Sequence, residues 1–176
     1  MITGAYRFPR QDAVIYGRPA HEAVIDLATR YNAKRLFILT TRSLASTAAT
    51  KLASDLGPLC VGTFSAIASH SPRSDVIAGA IAARETKADL LVALGGGSVI
   101  DAAKLIQLCL WADLTSTSQL SPYRMGRGED RKDVSLIPSG IRMVAIPTTL
   151  SAAEGDEKIG LCFAGGDRAG DDVAPG

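Results

Sequence analysis

The sequence predicts an α/β fold, with a mostly parallel sheet that carries helices on both faces. Two observations predict it. Short apolar runs of the kind that form buried strands alternate with longer segments in which apolar residues recur at helical spacing. A helix between successive strands makes those strands parallel. At 176 residues, the chain is long enough for one domain with a buried core.

The first half of the chain supplies two strands and two helices. A short strand is expected at residues 14–16, and a helix at residues 19–31, where Pro19 suits the first turn. The apolar stripe of that helix is Ala20, Ala23, Val24, Leu27, Ala28 and Tyr31. RLFILTT predicts a strand buried on both faces. Ser43 is the expected N-cap of a second helix, which Gly57 and Pro58 end. Its inner stripe is Ala45, Ala48, Ala49, Leu52 and Leu56.

The second half continues the alternation. CVGTF predicts a strand, and a helix is expected from about Pro72 to Lys87. The apolar stripe of this helix is Val76, Ile77, Ala80, Ile81 and Arg84. The strand DLLVAL, a helix over residues 99–110 and the strand RMVAIP follow. Between Trp111 and Arg142 the pattern gives way to a polar stretch, which predicts a long surface loop.

Composition and charge exclude several classes of protein. With 47% hydrophobic residues, 21% charged residues and a net charge of +1, nothing favours binding to nucleic acid or membranes. No apolar run approaches the roughly 18 residues of a membrane span, and no secretory signal opens the sequence. Cys60, Cys109 and Cys162 form neither a metal-type spacing nor a disulfide framework. A cytoplasmic protein is therefore expected.

A glycine turn lies between a buried strand and a helix in LVALGGGSVIDAAK. Gly95, Gly96 and Gly97 precede Ser98, which is the expected N-cap of the helix. Asp101, three residues later, would complete a pair like that of a capping box. The start of such a helix presents free N–H groups, which suit a phosphate or pyrophosphate. The alternative is that the glycines only make a tight connection, and the sequence alone leaves both open.

Hydroxyl side chains follow the last predicted strand in AIPTTLSAAE. Thr148, Thr149 and Ser151 stand just past that strand, after Pro147. They could bond a ribose or a phosphate at the carboxyl edge of the sheet. Their alternative role is to cap the next helix.

Together, GGGSVIDAAKLI and AIPTTLSAAE resemble the two cofactor-binding segments of the iron-containing alcohol dehydrogenase superfamily. PTTLSAAE, and SHSP at residues 69–72, are most similar to maleylacetate reductases. The similarity covers about residues 16–154. It implies a Rossmann-like domain that binds NAD(H) or NADP(H) and serves an oxidoreductase acting on the CH–OH group of a small-molecule substrate. It leaves a homodimer open.

The resemblance also implies roles for particular residues. The residues that it assigns to the cofactor are Thr41, Gly95, Gly96, Gly97, Ser98, Asp101, Thr148, Thr149 and Ser151. The glycines and Ser98 would hold the pyrophosphate, with Asp101 in the same turn, and the hydroxyls after the last strand would line the ribose and nicotinamide. Thr41 stands where members that prefer NAD often carry an acidic residue. Without a carboxylate to repel a 2′-phosphate, we expect both cofactors to be used.

Three further side chains could be mistaken for ligands. Lys104 is expected to be solvated on its helix rather than to bind phosphate. His21 lies on an amphipathic helix and is expected to be structural or exposed. His70 belongs to the SHSP segment, which resembles a family loop near the cofactor, but a structural role is favoured for it.

The sequence divides into residues 1–154, a dinucleotide-binding domain, and residues 155–176, an irregular tail that is expected to be disordered or out of frame. The resemblance implies a carboxyl-terminal helical domain that binds iron or zinc in metal-dependent members. That domain is expected to be absent, since the chain has two histidines and no metal-type cluster. A chain without it is expected to be inactive alone.

Two alternatives remain at this point. Dehydroquinate synthases, which are lyases with bound NAD, share a GGG turn and a PTTLLA-like segment, although Lys104 stands where their turn carries a further glycine. The other alternative is a truncated, non-catalytic remnant that binds a nucleotide or nothing.

Overall fold

A computed structural model describes residues 14–123 and 140–149 of the chain. The strands are β1 (Leu36–Leu39), β2 (Cys60–Phe64), β3 (Leu90–Gly95) and β4 (Arg142–Pro147). The helices are α1 (Ala20–Arg30), α2 (Arg42–Leu44), α3 (Thr50–Leu56), α4 (Arg73–Glu85) and α5 (Gly97–Trp111). Ser151, Cys162 and the predicted tail lie outside the described residues.

The four strands form one parallel sheet in the order β2-β1-β3-β4. β1 and β3 are its central strands, and every residue of both is buried, as their continuous apolar runs predict. Helices connect the strands along the chain, so the α/β class and the parallel sheet are confirmed.

Side chains of the central strands alternate between two apolar cores, one on each face of the sheet. Leu36 and Ile38 of β1 pack with α1 and α3, while Phe37 and Leu39 pack with α4 and α5. The same alternation runs along β3. Helices therefore cover both faces, as predicted.

α1 follows Pro19, which occupies the N-cap position, and it buries Val24, Leu27 and Ala28 against the sheet. Ala20, expected on the same stripe, is exposed at the start of the helix. The predicted strand at residues 14–16 is wrong. That segment is irregular and pairs with none of the four strands of the described sheet. Ile15 packs against the core between the sheet, α1 and α3, but 58% of Val14 and 89% of Tyr16 are exposed.

The second predicted helix is divided. α2 begins at Arg42 with Thr41 as its N-cap residue, so Ser43 is not the cap. A π-helical turn, Ala45–Ala49, joins α2 to α3. Gly57 then ends α3 with a φ of 54°, a left-handed conformation that glycine adopts without steric cost.

The buried stripe of α4 differs from the prediction at Ile81 and Arg84, of which Arg84 is half-buried. Ile81 is 40% exposed, while Gly79 and Ala83 are buried instead. A Cβ on Gly79 would lie 2.7 Å from Cδ1 of Ile106, so α4 and α5 pack closely at this glycine. The face of α4 that carries Gly79 and Ala83 is therefore the one that packs, and Ile81 lies toward the surface.

The segment after α5 is not simply a surface loop. Its first part includes a 3-10 helix, Thr117–Tyr123, and buries Leu114 and Leu120 in the core that α4 and α5 share. Residues 124–139 of the predicted loop lie outside the described residues. Among the residues that the structure covers, no helix is both long and apolar enough to cross a membrane.

Candidate functional site

The carboxyl edge of the sheet is held together by Thr40, a residue that the sequence analysis missed. Thr40 is fully buried directly after β1, and its hydroxyl donates to the carbonyl of Leu94 at 2.8 Å. Its backbone N–H donates to the carbonyl of Phe64 at 2.9 Å. Thr40 thus ties the end of β1 to the ends of both neighbouring strands. The sequence feature that could have identified Thr40 is a hydroxyl side chain directly after a fully apolar run.

The glycine turn joins β3 to α5 at this edge. Gly95 is the last residue of β3, Gly96 is the N-cap residue with φ −86° and ψ −167°, and Gly97 is the first helical residue. Among the described residues, the glycines with a positive φ are Gly17 and Gly57. The turn therefore does not need glycine for its backbone conformation.

Gly95 and Gly96 are explained by close packing instead. A Cβ on Gly95 would lie 2.5 Å from Cγ2 and 2.9 Å from Cβ of Val99, in the first turn of α5. A Cβ on Gly96 would lie 2.7 Å from Oγ1 of Thr149. Any side chain at either position would push apart groups that now touch.

The two motifs are in direct contact. Gly95 pairs with Pro147 in the register of β3 and β4, and the N–H of Thr148 donates to the carbonyl of Gly95 at 3.0 Å. Thr148 and Thr149 are exposed to solvent beside the turn. The structure therefore brings the glycine turn and the threonines together, while Ser151 lies outside the described residues.

Ser98 is the second residue of α5 and not its N-cap, so the predicted capping pair with Asp101 is wrong. The helix begins earlier because Gly96 takes an extended conformation and its carbonyl accepts the N–H groups of Val99 and Ile100. No side chain of the described residues makes a capping hydrogen bond at the start of α5. Ser98 is bonded to another segment: its Oγ accepts the N–H of His70 at 3.2 Å.

The segment that contacts Ser98 has an unusual backbone. His70 and Ser71 are consecutive non-glycine residues with φ values of 62° and 47°. The Ser71 hydroxyl donates to the carbonyl of Ser98 at 2.6 Å. The SHSP segment therefore lies against the first turn of α5, which motif spacing alone did not predict. His70 makes this contact through its backbone N–H, and the residue is exposed to solvent.

Lys104 is buried, with 4% of its side chain exposed, so the prediction that it is solvated is wrong. The reason is that α5 packs on the sheet, on α4 and on the segment that follows it, which leaves few of its residues exposed. The Nζ of Lys104 lies 3.6 Å from Oδ1 of Asp101, whose side chain is 46% exposed. Asp101 thus lies one turn beyond the glycines and beside a buried cation.

The remaining candidates lie on other elements. Thr41 is half-buried at the end of β1, and its Oγ1 is 2.9 Å from Oγ of Ser43. Arg42 follows it and is exposed. His21 is 33% exposed and lies 3.6 Å from the carboxylate of Asp55, between α1 and α3. His21 therefore has a structural partner away from the glycine turn.

In the part of the chain that the structure covers, no group of three His, Cys, Asp or Glu side chains is placed to hold a metal ion. Cys60 is half-buried and Cys109 fully buried, and both are free thiols. Burial raises the pKa of the Cys109 thiol to about 11, against a smaller opposing effect of Arg84. A thiol with such a pKa is protonated at neutral pH and is a poor metal ligand.

A parallel sheet with a glycine turn and a long helix at its carboxyl edge is typical of open α/β domains, in which ligands often bind beyond the strand ends. The chain belongs to the iron-containing alcohol dehydrogenase family, whose model matches residues 11–157. This match confirms the resemblance carried by the two motifs.

Curated relatives agree with the family. The chain is 36% identical to the dehydrogenase FUM7 of Gibberella moniliformis over 147 residues, which cover 80% of this chain and 34% of that protein. It is 32% identical to maleylacetate reductase 2 of Cupriavidus pinatubonensis over 162 residues, covering 90% of this chain and 36% of that protein. The chain thus spans about a third of the length of these relatives.

Solved structures share the fold. The maleylacetate reductase of Agrobacterium tumefaciens matches with a TM-score of 0.61 and 25% identity, over 86% of this chain and 35% of that one. The sulfoacetaldehyde reductase of Bifidobacterium kashiwanohense, solved in complex with NAD+, matches with a TM-score of 0.67 over 86% of this chain and 38% of that one. At 18% identity, this second match shows the fold alone.

Proposed function

We propose that the carboxyl edge of this sheet binds NAD(H) or NADP(H) for an oxidoreductase related to maleylacetate reductases. The observation that carries the proposal is the direct contact between Gly96 and Thr149, which unites the glycine turn and the threonine segment in one site. The family match and the dehydrogenase and reductase relatives favour an oxidoreductase over the lyase alternative. A bound nicotinamide would carry the hydride to or from the carbonyl or alcohol carbon of a small-molecule substrate.

In this proposal the pyrophosphate lies over the start of α5. The N–H groups of Gly97 and Ser98 have no acceptor within a helix that begins there, and they carry the positive end of its dipole. The first turn of α5, which is fully described, holds no acidic side chain to repel a phosphate. Asp101 stands in the next turn with Lys104 beside its carboxylate, which offsets its negative charge.

The ribose and nicotinamide are assigned to the threonine segment. Thr148 and Thr149 are exposed next to the turn, so their hydroxyls are accessible as donors and acceptors for sugar oxygens. We keep Ser151 in this group as a proposal, because it lies outside the described residues.

Both cofactors are expected to bind, because no carboxylate stands where the adenosine ribose would lie. Thr41 and Arg42 open α2 at the end of β1, and the first turn of that described helix holds no acidic side chain. The exposed guanidinium of Arg42 could accommodate a 2′-phosphate. Thr41 would meet the ribose hydroxyls when the cofactor is NAD(H).

We assign only cofactor binding to the described residues. Substrate and metal binding would involve parts of the chain, or of a longer enzyme, that the structure does not describe. The described residues offer no group of three metal ligands, and the chain spans about a third of its relatives.

Two variants of Ser98 test the proposal. Ser98→Asp and Ser98→Asn have the same shape and differ in charge, and either side chain can accept the N–H of His70. A negative charge near a helix start favours the helix, so Ser98→Asp should fold at least as stably as Ser98→Asn. Repulsion of the pyrophosphate should nevertheless weaken its binding of NADH by about tenfold relative to Ser98→Asn.

The measurement is a fluorescence titration of NADH into the 176-residue chain and both variants. Equal affinities of the Asp and Asn variants would place the pyrophosphate elsewhere. An unmodified chain that is folded and binds no NADH would sink the proposal itself.

A further inference from the structure

Residues 68–71 form a tight turn just before α4, held by one hydrogen bond within the turn and one to the first turn of α4. The N–H of Ala68 donates to a carboxylate oxygen of Asp75 at 3.0 Å, and the N–H of Ser71 donates to the carbonyl of Ala68 at 3.3 Å. His70 and Ser71 both have a left-handed backbone conformation, which residues other than glycine rarely adopt. The turn is a defined structure whose backbone is kept in an unfavourable conformation.

That conformation directs two donors of the turn at one residue of α5. The N–H of His70 reaches Oγ of Ser98 at 3.2 Å, and Oγ of Ser71 reaches the carbonyl of Ser98 at 2.6 Å. Ser98 lies 28 and 27 residues further along the chain, respectively, so these are tertiary contacts between separate elements. No other residue of the glycine turn has two side-chain hydrogen bonds to another element among those that the described structure shows.

These two bonds have different consequences for Ser98. A hydroxyl has one hydrogen to donate, and Oγ of Ser98 already accepts the N–H of His70. The hydroxyl hydrogen of Ser98 is therefore left to donate to another acceptor. The bond from Ser71 falls on a carbonyl that, at this position in a helix, already accepts an intrahelical N–H. It is not needed to satisfy that carbonyl, and its effect is to fix the position of the first turn of α5.

We propose that Ser71 is a positioning residue for the cofactor turn. By holding the carbonyl of Ser98 while His70 occupies Oγ, the turn keeps the first N–H groups of α5 and the Ser98 hydroxyl hydrogen aligned as donors to the pyrophosphate. The inference rests on the proposed function, because it assumes that a nicotinamide dinucleotide lies over this turn. In this role Ser71 acts through Ser98, whose carbonyl it holds.

Two variants remove the hydroxyl with different effects on the backbone. Ser71→Ala keeps the left-handed strain, whereas Ser71→Gly relieves it, because glycine suits a φ of 47°. Both should lose the bond to Ser98 equally, even if their melting temperatures differ. Ser69→Ala is the matched control, since Ser69 is an exposed serine of the same segment.

Each 176-residue variant is first shown to be folded by circular dichroism, then titrated with NADH and, in competition, with ADP-ribose and adenosine. We expect Ser71→Ala and Ser71→Gly to bind NADH and ADP-ribose about three- to tenfold more weakly, which corresponds to one hydrogen bond. Adenosine has no phosphate, so its affinity should stay unchanged. A defect confined to ligands with a pyrophosphate is one that general loosening of the fold would not produce.

Three outcomes would overturn the inference. If both Ser71 variants bind NADH within twofold of the unmodified chain, the Ser71 bond does not position the turn, and the proposed function stands. If adenosine binding falls as much as ADP-ribose binding, the role of Ser71 is structural. If the unmodified, folded chain binds neither NADH nor ADP-ribose, the proposed function fails and the inference fails with it.

Discussion

At the scale of single residues, the glycines of the turn act through the Cβ that they lack. Gly95 lies against Val99 of the following helix, and Gly96 lies against Thr149 of the neighbouring segment. Packing explains these two glycines whether or not a ligand is bound. The tight-connection and ligand-binding explanations are therefore compatible, since the same close packing sets the first turn of α5 beside the exposed threonines.

Cys109 gives a prediction about pH at this scale. Burial raises the pKa of its thiol from 9.0 to about 11 in the folded chain. Above pH 9 the thiol of the unfolded chain ionises while the folded one stays protonated, which favours unfolding. Stability that is fully present below pH 9 should thus be lost between pH 9 and 11, by at most about 3 kcal/mol.

The measurement is urea unfolding at pH 8, 9, 10 and 11 for the unmodified chain and for Cys109→Ala. Other groups titrate in the same range, so the difference between the two slopes is the informative quantity. The variant should be less stable at pH 8, because a small cavity forms, and should lose less stability at higher pH. Parallel slopes would contradict the assigned burial of this thiol.

At the scale of elements, α5 is a core helix and not a surface helix with one buried stripe. Nine of its residues are buried, among them Lys104 and Gln107. The amide nitrogen of Gln107 donates to the carbonyl of Ile141 at 2.6 Å, and Nε1 of Trp111 donates to the same carbonyl at 3.1 Å. These bonds attach the second half of α5 to the residue before β4. Since Ser98 is bonded to His70 and Ser71 at the start of α5, the helix is fixed at both of its ends.

The burial of Lys104 leads to a stability prediction. Lys104→Ala removes buried methylene groups and should lower the free energy of unfolding by about 2 kcal/mol. Lys104→Met keeps most of that volume and removes the charge, so it should cost less than about 1 kcal/mol. Lys51→Ala is the control, since 77% of its side chain is exposed and the change should stay within about 0.5 kcal/mol. Urea unfolding that ranks Lys104→Ala with Lys51→Ala would mean that Lys104 is solvated after all.

Elements whose residues form continuous apolar runs could be predicted from sequence, and element ends could not. LFIL and LLVAL fix β1 and β3 because central parallel strands must be apolar on both faces. Ser43 and Ser98 were misplaced as caps, because an extended Thr41 and Gly96 start their helices earlier without a side-chain bond. Lys104 was misjudged because α5 packs against several elements at once and buries most of its surface, which spacing along one helix does not reveal.

At the scale of the whole molecule, the sheet order places the glycine turn and the threonine segment after adjacent strands. β3 precedes the glycine turn, β4 precedes the threonines, and the two strands pair in register from Leu90 to Gly95. The sequence predicted parallel strands but not their order, so the contact between Gly96 and Thr149 could not be derived from it. The family resemblance assigned both segments to one cofactor without giving their contact. The hydrogen bond from the Thr148 N–H to the carbonyl of Gly95 shows how the two segments meet.

The measurement that tests the central claim most directly is calorimetric titration of the folded 176-residue chain with NADH and with NADPH. We predict that both bind and that their dissociation constants differ by less than about tenfold, since no carboxylate at Thr41 repels the 2′-phosphate. A strong preference for NADH would contradict the role given to Thr41 and Arg42. Binding of neither cofactor to a chain shown to be folded would contradict the claim that this edge of the sheet is a dinucleotide site.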